Sequence, residues 1–143
     1  MIKVNFYDLN TIDDSKLKFA VIVTKYKGKL VYVRHKDRQT WEMPGGHREE
    51  NESITNAASR ELVEETGAKS FSITPICTYS VETNKDESFG SLNYAEVYEF
   101  GELPNYEIVE IKLFDKIPEN LTYPLIQPYL AKKFEEFKNL QNL

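Results

Sequence analysis

The stretch Gly46–Ala68, GHREENESITNAASRELVEETGA, carries charged residues at a spacing that decides how the rest of the chain is interpreted. Its densest part, Arg60–Gly67, is RELVEETG, and it places Glu61, Glu64 and Glu65 at i, i+3 and i+4 of a predicted helix. Residues three and four apart share one face of a helix, so the three carboxylates would crowd together. Such crowding indicates a bound cation.

A helical wheel places two of these carboxylates on the apolar side of the helix. With ~100° per residue, the core-facing sector is defined by Ile54, Ala57, Ala58 and Leu62. Glu61 and Glu65 fall inside this sector, and Glu64 falls on its flank. Two carboxylates ~4 Å apart repel by about 4 kcal/mol at an effective dielectric constant of about 20. A divalent cation removes that repulsion, and carboxylate oxygens suit Mg²⁺ or Mn²⁺ rather than Zn²⁺.

The composition is that of an ordinary globular protein. The 143 residues are 41% hydrophobic and 29% charged, which predicts one domain over 1–143. The formal net charge of −5 disfavours bulk nucleic acid as a partner, but a divalent cation can reverse the sign locally for one nucleotide. The single Cys77 predicts a core residue, no intrachain disulfide and a cytoplasmic location. We expect no signal peptide and no membrane association, since no run approaches ~20 apolar residues.

Short apolar runs predict a β-rich framework. The strand-like runs are Ile2–Phe6, Phe19–Thr24, Lys29–Arg34, Phe71–Val81, Leu92–Phe100 and Ile108–Phe114, and polar residues 82–90 join the fourth and fifth. Phe19–Thr24 is apolar on both faces, which is typical of a buried central strand. Lys27-Gly28 predicts a hairpin turn after it. Trp41–Gly46, WEMPGG, predicts a strand end followed by a Pro-Gly-Gly turn.

Two helices complete the predicted pattern. The first spans about 53–66, with Ser53 as its N-cap and Gly67 in the left-handed region after its end. The second follows Pro124, where apolar residues recur at i, i+3 and i+4. Mixed strands with two main helices are best packed as an α/β fold with helices on the faces of a mixed sheet.

The glutamate-rich stretch resembles the signature of the Nudix hydrolases, G-x5-E-x7-R-E-U-x-E-E-x-G-U, where U is a bulky aliphatic residue. The matching residues are Gly46, Glu52, Arg60, Glu61, Leu62, Glu64, Glu65 and Gly67, and Ala68 is smaller than the pattern prefers. Trp41–Gly46 also resembles the segment that leads into this signature. The resemblance implies an α/β/α sandwich that hydrolyses a nucleoside diphosphate linked to another group.

The resemblance also implies roles for the charged residues of the signature. Glu61, Glu64 and Glu65 would bind Mg²⁺, for which Mn²⁺ could substitute. Glu64 or Glu65 would orient or deprotonate the attacking water. Glu52 would support the metal site through water, and Arg60 would hold Glu52 or Glu61 through a charge-assisted hydrogen bond. A surface arginine is the alternative for Arg60.

Glycines and two later glutamates extend the implied site. Gly45, Gly46 and Gly67 would allow close approach of the backbone and positive φ. A further glutamate from a loop beyond the signature often completes the site in this family, and Glu107 and Glu110 are the candidates. The alternative for these two is a solvated turn.

Substrate contacts outside the signature are predicted from residue type. Arg34 and Arg38 would contact the substrate phosphates, with Lys36 as a further cation, and His35 is interpreted as a strand-end residue rather than a ligand. Candidate contacts to the base are Tyr79, Phe89, Tyr94 and Asn120. Core packing is the alternative for the three aromatic residues.

The substrate class depends on the segments around the signature. Glu82 stands where ADP-ribose hydrolases tend to carry a proline, and 83–85 lack the tyrosine of the dinucleoside polyphosphate hydrolases. HKDRQTWEMPGG and EIKLFDKIPENL resemble the MutT-like branch, which includes bacterial oxidised-nucleotide hydrolases of the YtkD kind. This implies a small nucleotide partner, a nucleoside triphosphate such as 8-oxo-dGTP, hydrolysed to the monophosphate and pyrophosphate.

Several alternatives stay open. Within the enzyme class they are an RNA 5′-end pyrophosphatase and a nucleotide-sugar or ADP-ribose pyrophosphatase. A non-catalytic Nudix fold that binds a nucleotide would predict damage in 60–65, which is intact. A structural calcium helix would need a loop of the D-x-D-x-D-G type, which the sequence lacks. The predicted edge strand Ile2–Phe6 would permit pairing into a homodimer.

Overall fold

Seven β-strands form one mixed sheet in the computed structural model, which describes residues 1–104 and 107–141. The strands are β1 (Lys3–Tyr7), β2 (Leu17–Tyr26), β3 (Lys29–His35), β4 (Gly45–His47), β5 (Ala68–Glu82), β6 (Glu87–Phe100) and β7 (Ile108–Phe114). The helices are α1 (Ile54–Thr66) and α2 (Gln127–Gln141), and a short 3-10 helix spans Asp14–Lys16. The predicted mixed sheet with two main helices is confirmed.

The strand order is β1-β5-β6-β2-β3-β7, with β4 paired to β2 beside this path. β2 and β6 pair in parallel, and the remaining pairs are antiparallel. The predicted turn between β2 and β3 is present, since Lys27 and Gly28 have φ of 50° and 81°. The hairpin is short, because β2 pairs with β3 only at two residues, whereas β3 pairs with β7 from Leu30 to His35.

Each face of the sheet is covered by one helix. On one face, Ala58 and Leu62 of α1 pack with Ala20 and Ile22 of β2. The alternation of side chains along a strand sends the next apolar residues of β2 to the opposite face. There Val23 belongs to the cluster that contains Leu130 and Phe134 of α2. This arrangement is the α/β/α sandwich that the sequence predicts.

Helix α1 begins and ends where local signals place it. The Ser53 side chain accepts a hydrogen bond from the N–H of Asn56 at 3.0 Å, which satisfies one free donor of the first turn. Gly67 follows the helix with φ of 74°, and its N–H donates to the Val63 carbonyl at 2.8 Å. The predicted caps are both confirmed, so the orientation of the glutamates along α1 is fixed at both ends.

Some predicted boundaries are wrong. Gly45 and Gly46 belong to strand β4 and do not form the predicted Pro-Gly-Gly turn, because their backbone pairs with β2. β5 and β6 form one long hairpin whose turn is short, with the N–H of Thr83 donating to the carbonyl of Asp86 at 2.8 Å. Much of the predicted linker 82–90 is therefore strand. Strand pairing joins residues distant in sequence, so a local turn signal cannot exclude it.

The remaining predictions concern the core and the edges. Cys77 is buried, as predicted, and burial raises the pKa of its thiol to about 11. β1 lies at one edge of the sheet and pairs only with β5 on the path given above. No helix within residues 1–104 and 107–141 is long and apolar enough to cross a membrane.

Candidate active site

Strand β4 and helix α1 meet at a corner where two glutamates contact glycine backbone. Glu65 is 6% exposed, and its Oε1 accepts a hydrogen bond from the N–H of Gly45 at 3.0 Å. Glu61 lies against Gly46, where an added Cβ atom would overlap its carboxylate. Neither Gly45 nor Gly46 has a positive φ, so the predicted need for positive φ holds for Gly67 alone. The predicted close approach is present at both residues.

Arg60 ties the glutamates of the signature together. Its guanidinium binds Glu52 in a two-pronged geometry, with Nε to Oε2 at 2.6 Å and Nη2 to Oε1 at 3.0 Å. Its Nη1 donates to Glu61 Oε1 at 3.0 Å and to Glu64 Oε2 at 3.1 Å. Nη2 also donates to the carbonyl of His47 at 2.9 Å, which connects α1 to β4. Arg60 therefore contacts both of its predicted partners and a third glutamate besides.

The electrostatics of the cluster differ from residue to residue. Burial raises the pKa of Glu65 to about 8; the Gly45 hydrogen bond opposes this rise, and the charge of Glu61 adds to it. Burial also raises the pKa of Glu61, against the opposing charge of Arg60. The hydrogen bond from Arg60 lowers the pKa of Glu52. The innermost carboxylates are thus costly to ionise together without additional positive charge.

Two residues join this cluster that sequence reasoning did not assign to it. His35 Nε2 lies 3.4 Å from Glu42 Oε2 and 3.4 Å from Glu65 Oε2. Glu42 is buried, and its Oε1 accepts a hydrogen bond from Arg38 Nη1 at 2.9 Å. His35 ends β3, as predicted, yet it bridges two carboxylates. The available signal was a lone charged residue, Glu42, inside the otherwise uncharged segment WEMPGG.

The two later glutamates have different surroundings. Glu107 lies close enough for its charge to contribute to the raised pKa of Glu65, and its carbonyl accepts from the N–H of Lys36 at 2.7 Å. Glu110 lies within β7 opposite Arg34, and the two form an ion pair at 3.3 Å. Glu107 is therefore the candidate that the structure brings near Glu65.

The donor chemistry of the cluster fits a hard divalent cation, since it consists of carboxylate oxygens around a glycine-lined cradle. In the part of the chain that the structure describes, no three Asp, Glu, His or Cys side chains converge tightly enough to ligate an ion as they stand. The reason is visible at Arg60, which draws Glu61 and Glu64 to its own guanidinium. These two carboxylates would have to turn away from Arg60 to ligate a cation together with Glu65.

A pocket of about 330 Å³ opens beside β4. It is lined by Gly45 and Gly46 on one side and by Phe19, Tyr79 and Tyr123 among others. Its volume lies at the lower end of the range for small-molecule sites. The pocket is lined by Gly45 and Gly46, which Glu65 and Glu61 also contact, so these two glycines separate the pocket from the glutamates.

Only one of the predicted base contacts lines this pocket. Tyr79 does so from a nearly fully buried position. The other three have other partners: Phe89 packs against the ring of Tyr7, Tyr94 packs on Phe134 and donates to Glu96, and Asn120 donates to the carbonyl of Gln39. The structure thus does not bring these three to the pocket.

The chain is thus an α/β/α sandwich in which Arg60 ties a cluster of glutamates at the corner of α1. Residues 14–116 match the family model described as the NUDIX domain. The chain belongs to the Nudix hydrolase family.

The chain is similar to curated relatives and to several solved structures. A candidate 8-oxo-dGTP diphosphatase of Bacillus subtilis (strain 168), YtkD, is 31% identical over 117 residues, which cover 81% of this chain and 73% of that protein. The solved structure of the pyrophosphohydrolase BsRppH of Bacillus subtilis, in a mutant form, is 27% identical with a TM-score of 0.77 and covers 94% of this chain and 90% of that chain. A UDP-X diphosphatase, at 20% identity and a TM-score of 0.72 over 93% of this chain and 68% of that chain, shares the fold.

Proposed function

We propose that this chain hydrolyses a nucleoside triphosphate such as 8-oxo-dGTP to the monophosphate and pyrophosphate, with Mg²⁺ or Mn²⁺ held by Glu61, Glu64 and Glu65. The observation that carries the proposal is Glu65, a buried carboxylate with a pKa of about 8 that is bonded to Gly45 beside a pocket of ligand size. A helix built only to pack would not bury such a group. The likeness to YtkD supports the choice of substrate.

The chemistry of phosphoryl transfer is mostly positioning and charge neutralisation. When bound, a divalent cation supplies charge neutralisation to the phosphates and acidity to the attacking water. Glu64 and Glu65 are the two candidates for orienting that water and accepting its proton. Without a cation, the raised pKa of about 8 keeps Glu65 mostly protonated near neutral pH, so Glu65 can accept a proton only after a bound cation has displaced its own.

The surrounding residues hold this arrangement in place. Arg60 and Glu52 position the signature glutamates, since one guanidinium bonds to both Glu52 and Glu61. Glu107 is the additional carboxylate beside Glu65 that we propose as a further ligand or base. Glu110, the other candidate, is engaged by Arg34.

The phosphate and base contacts follow from the pocket. Arg38 lies 6.0 Å from the ring of Tyr123, which lines the pocket, so we propose Arg38 as a phosphate contact at its mouth. Arg34 and Arg38 each pair with a glutamate, Glu110 at 3.3 Å and Glu42 at 2.9 Å, so Arg34 is the weaker phosphate contact only because Arg38 lies beside a residue that lines the pocket. Phe19 and Tyr79, whose rings lie 5.5 Å apart, form an aromatic wall on which a base can stack.

The test is the release of pyrophosphate and phosphate from a nucleotide panel in the presence of Mg²⁺. The panel contains 8-oxo-dGTP, dGTP, the common triphosphates, ADP-ribose and 5′-triphosphate RNA. Glu64→Gln and Glu65→Gln are each expected to lower turnover at least about 100-fold. Glu136→Gln, on the exposed side of α2, is the matched control and should leave turnover unchanged. Turnover that survives both site substitutions would exclude the catalytic assignment.

The same panel separates the alternatives. A rate for ADP-ribose far above that for every triphosphate would replace the triphosphate proposal with a nucleotide-sugar pyrophosphatase. Release from 5′-triphosphate RNA above that from free triphosphates would replace it with an RNA 5′-end activity. Binding of nucleotides without hydrolysis of any of them would identify a non-catalytic Nudix fold.

A further inference from the structure

The pocket beside the glutamate cluster contains one polar side chain whose orientation is fixed by the backbone. Gln127 begins α2, is 5% exposed and lines the pocket together with Phe19, Tyr79 and Tyr123. Its Oε1 accepts a hydrogen bond from the backbone N–H of Met43 at 2.9 Å. The sequence alone does not mark Gln127, because a glutamine at the start of a helix has no local signal of function.

The bond to Met43 decides which end of the amide is available. A side-chain amide has an acceptor oxygen and a donor nitrogen of nearly equal size. A backbone N–H can only donate, so Met43 must hold the oxygen, and the NH2 group is left for other partners.

The NH2 group of Gln127 is left without a partner in the described part of the chain. Within residues 1–104 and 107–141 no hydrogen-bond acceptor is bonded to this nitrogen, and the nitrogen is not sealed from solvent. Because Gln127 is almost fully buried and lines the pocket, we take this nitrogen to face the pocket. Gln127 therefore presents a fixed hydrogen-bond donor to whatever occupies the pocket.

Other pocket residues also carry polar side chains, among them His47, Ser88 and Tyr123, but in the described part of the chain none of these three side chains is held by a backbone group as Gln127 is. Phe19 and Tyr79 offer aromatic faces, and stacking on such faces accepts every base. Glu42 already accepts from Arg38 at 2.9 Å and lies 3.4 Å from His35. A fixed donor, in contrast, separates purines by the group at position 6, which is an acceptor oxygen in guanine and a donor amine in adenine.

We infer that Gln127 sets the base preference of this pocket by donating to O6 of a 6-oxopurine. The inference rests on the proposed function, because it takes the pocket to be the site of the base. An adenine would place its amine against the Gln127 NH2 group and leave two donors unpaired in a desolvated site, which lowers affinity by about tenfold or more. Asn120, the residue predicted from the sequence to bond the base edge, is directed to Gln39 instead.

The wild-type chain gives the first test. ITP and ATP differ at the 6-position, so their ratio of kcat/KM isolates the proposed contact. The affinities of IMP and AMP, measured by calorimetry in a chelator without metal, give a readout that needs no catalysis. We expect the 6-oxo compound to be favoured by about tenfold or more in both measurements.

Two variants assign the preference to Gln127. Gln127→Glu keeps an oxygen for the Met43 N–H but replaces the donor with an acceptor, so the preference for IMP over AMP should vanish or reverse. Gln141→Glu, the same substitution at the exposed far end of α2, should leave the preference intact. Circular dichroism checks that both variants fold.

The outcomes distinguish this inference from the proposed function. If triphosphates are hydrolysed but wild type treats ITP and ATP alike, or binds IMP and AMP alike, the inference is overturned while the function stands. If no triphosphate is hydrolysed but IMP binds more tightly than AMP and Gln127→Glu removes the difference, the inference stands while the function fails. Absence of binding by both monophosphates also overturns it, as does a preference that folded Gln127→Glu retains. If that variant does not fold, the wild-type ratios alone decide.

Discussion

At the scale of single residues, Gly46 is required by the side chain opposite it rather than by its own backbone conformation. Its φ is not positive, but an added Cβ would overlap the carboxylate of Glu61. The overlapping atom is the end of a flexible side chain, so the backbone does not have to move. The cost of a Cβ therefore falls on the position of the Glu61 carboxylate and not on the fold.

Gly46→Ala is therefore expected to lower turnover at least about tenfold and to change the free energy of unfolding by less than about 1 kcal/mol. Gly28→Ala is the control with the opposite pattern. Gly28 has φ of 81° and open space around it, so an alanine there costs about 1 kcal/mol of stability without touching the site. Measurements of turnover and of chemical denaturation on both variants test these two expectations. Equal activity of Gly46→Ala and wild type would contradict the cradle for Glu61.

Glu65 makes stability depend on pH in a direction that can be worked out. Its pKa rises to about 8 in the folded chain from an ordinary value of 4.5. Between these values the folded state holds a proton that the unfolded state has released, so stability falls as pH rises through this window. Glu65→Gln removes the dependence and keeps an oxygen for the Gly45 N–H.

We therefore expect the melting temperature of Glu65→Gln, minus that of wild type, to increase between about pH 5 and about pH 8 in a chelator. Thermal melts across this range measure it. Glu136→Gln, exposed on α2, serves as the control and should give a difference that does not follow pH. A flat or falling difference for Glu65→Gln would mean that burial does not raise the pKa of Glu65.

At the scale of elements, local sequence signals were sufficient to predict the ends of α1. They were not sufficient to predict β4, because that strand depends on pairing with a distant segment. Ser53 and Gly67 act on backbone groups a few residues away, so the sequence predicts both ends of α1. Gly45 and Gly46 look like a turn locally, yet they pair with β2 and support Glu61 and Glu65 from another element.

The same distinction separates the predicted site from the residues that were missed. The signature glutamates and Arg60 lie within one helix and its leading loop, so their spacing alone places them together. His35 and Gln127 reach the site only through the packing of β3 and α2. A prediction from residue type, such as Asn120 at the base edge, cannot anticipate that a nearby carbonyl takes its amide.

Arg60 connects the loop before α1 to the helix, and its positive charge would compete with the proposed cation. Its guanidinium bonds to Glu52, and it also bonds to Glu61 and Glu64, which are proposed to share one ion. Arg60→Met should therefore bind Mg²⁺ more tightly, because a competing positive charge is gone. It should nevertheless turn over at least about tenfold more slowly, because Glu52 and Glu61 lose their anchor.

The control for Arg60→Met is Ser53→Ala, at the start of the same helix. Loss of the Ser53 cap costs about 1 kcal/mol of stability without changing charge in the cluster. Both variants are expected to lose stability. Only Arg60→Met should also change the turnover and the affinity for Mg²⁺, which calorimetry measures. An Mg²⁺ affinity that weakens in Arg60→Met would mean that Arg60 does not compete with the cation.

At the scale of the whole molecule, β4 is the strand at which the glutamate cluster and the pocket come close to each other. Glu61 and Glu65 contact Gly45 and Gly46 from α1, while the pocket bounded by Gln127 at the start of α2 is lined by the same two glycines. Because Gly45 and Gly46 have no side chains, only their backbone lies between the two glutamates and the pocket. A substrate whose base lies in the pocket can thereby bring its phosphates to carboxylates that belong to the opposite helix.

Binding of the proposed cation at this corner would be linked to the stability of the entire fold. A cation that binds only the folded chain stabilises it by about 1.4 kcal/mol at ten times its dissociation constant, which corresponds to a rise in melting temperature of about 3–5 °C for a chain of this size. Glu65 holds a proton below its pKa of about 8, and the cation must displace it. The rise on adding Mg²⁺ should therefore be larger at about pH 8.5 than at about pH 6. Glu61→Gln should abolish it, Glu136→Gln should retain it, and a rise of equal size at both pH values would show that Glu65 is not among the ligands.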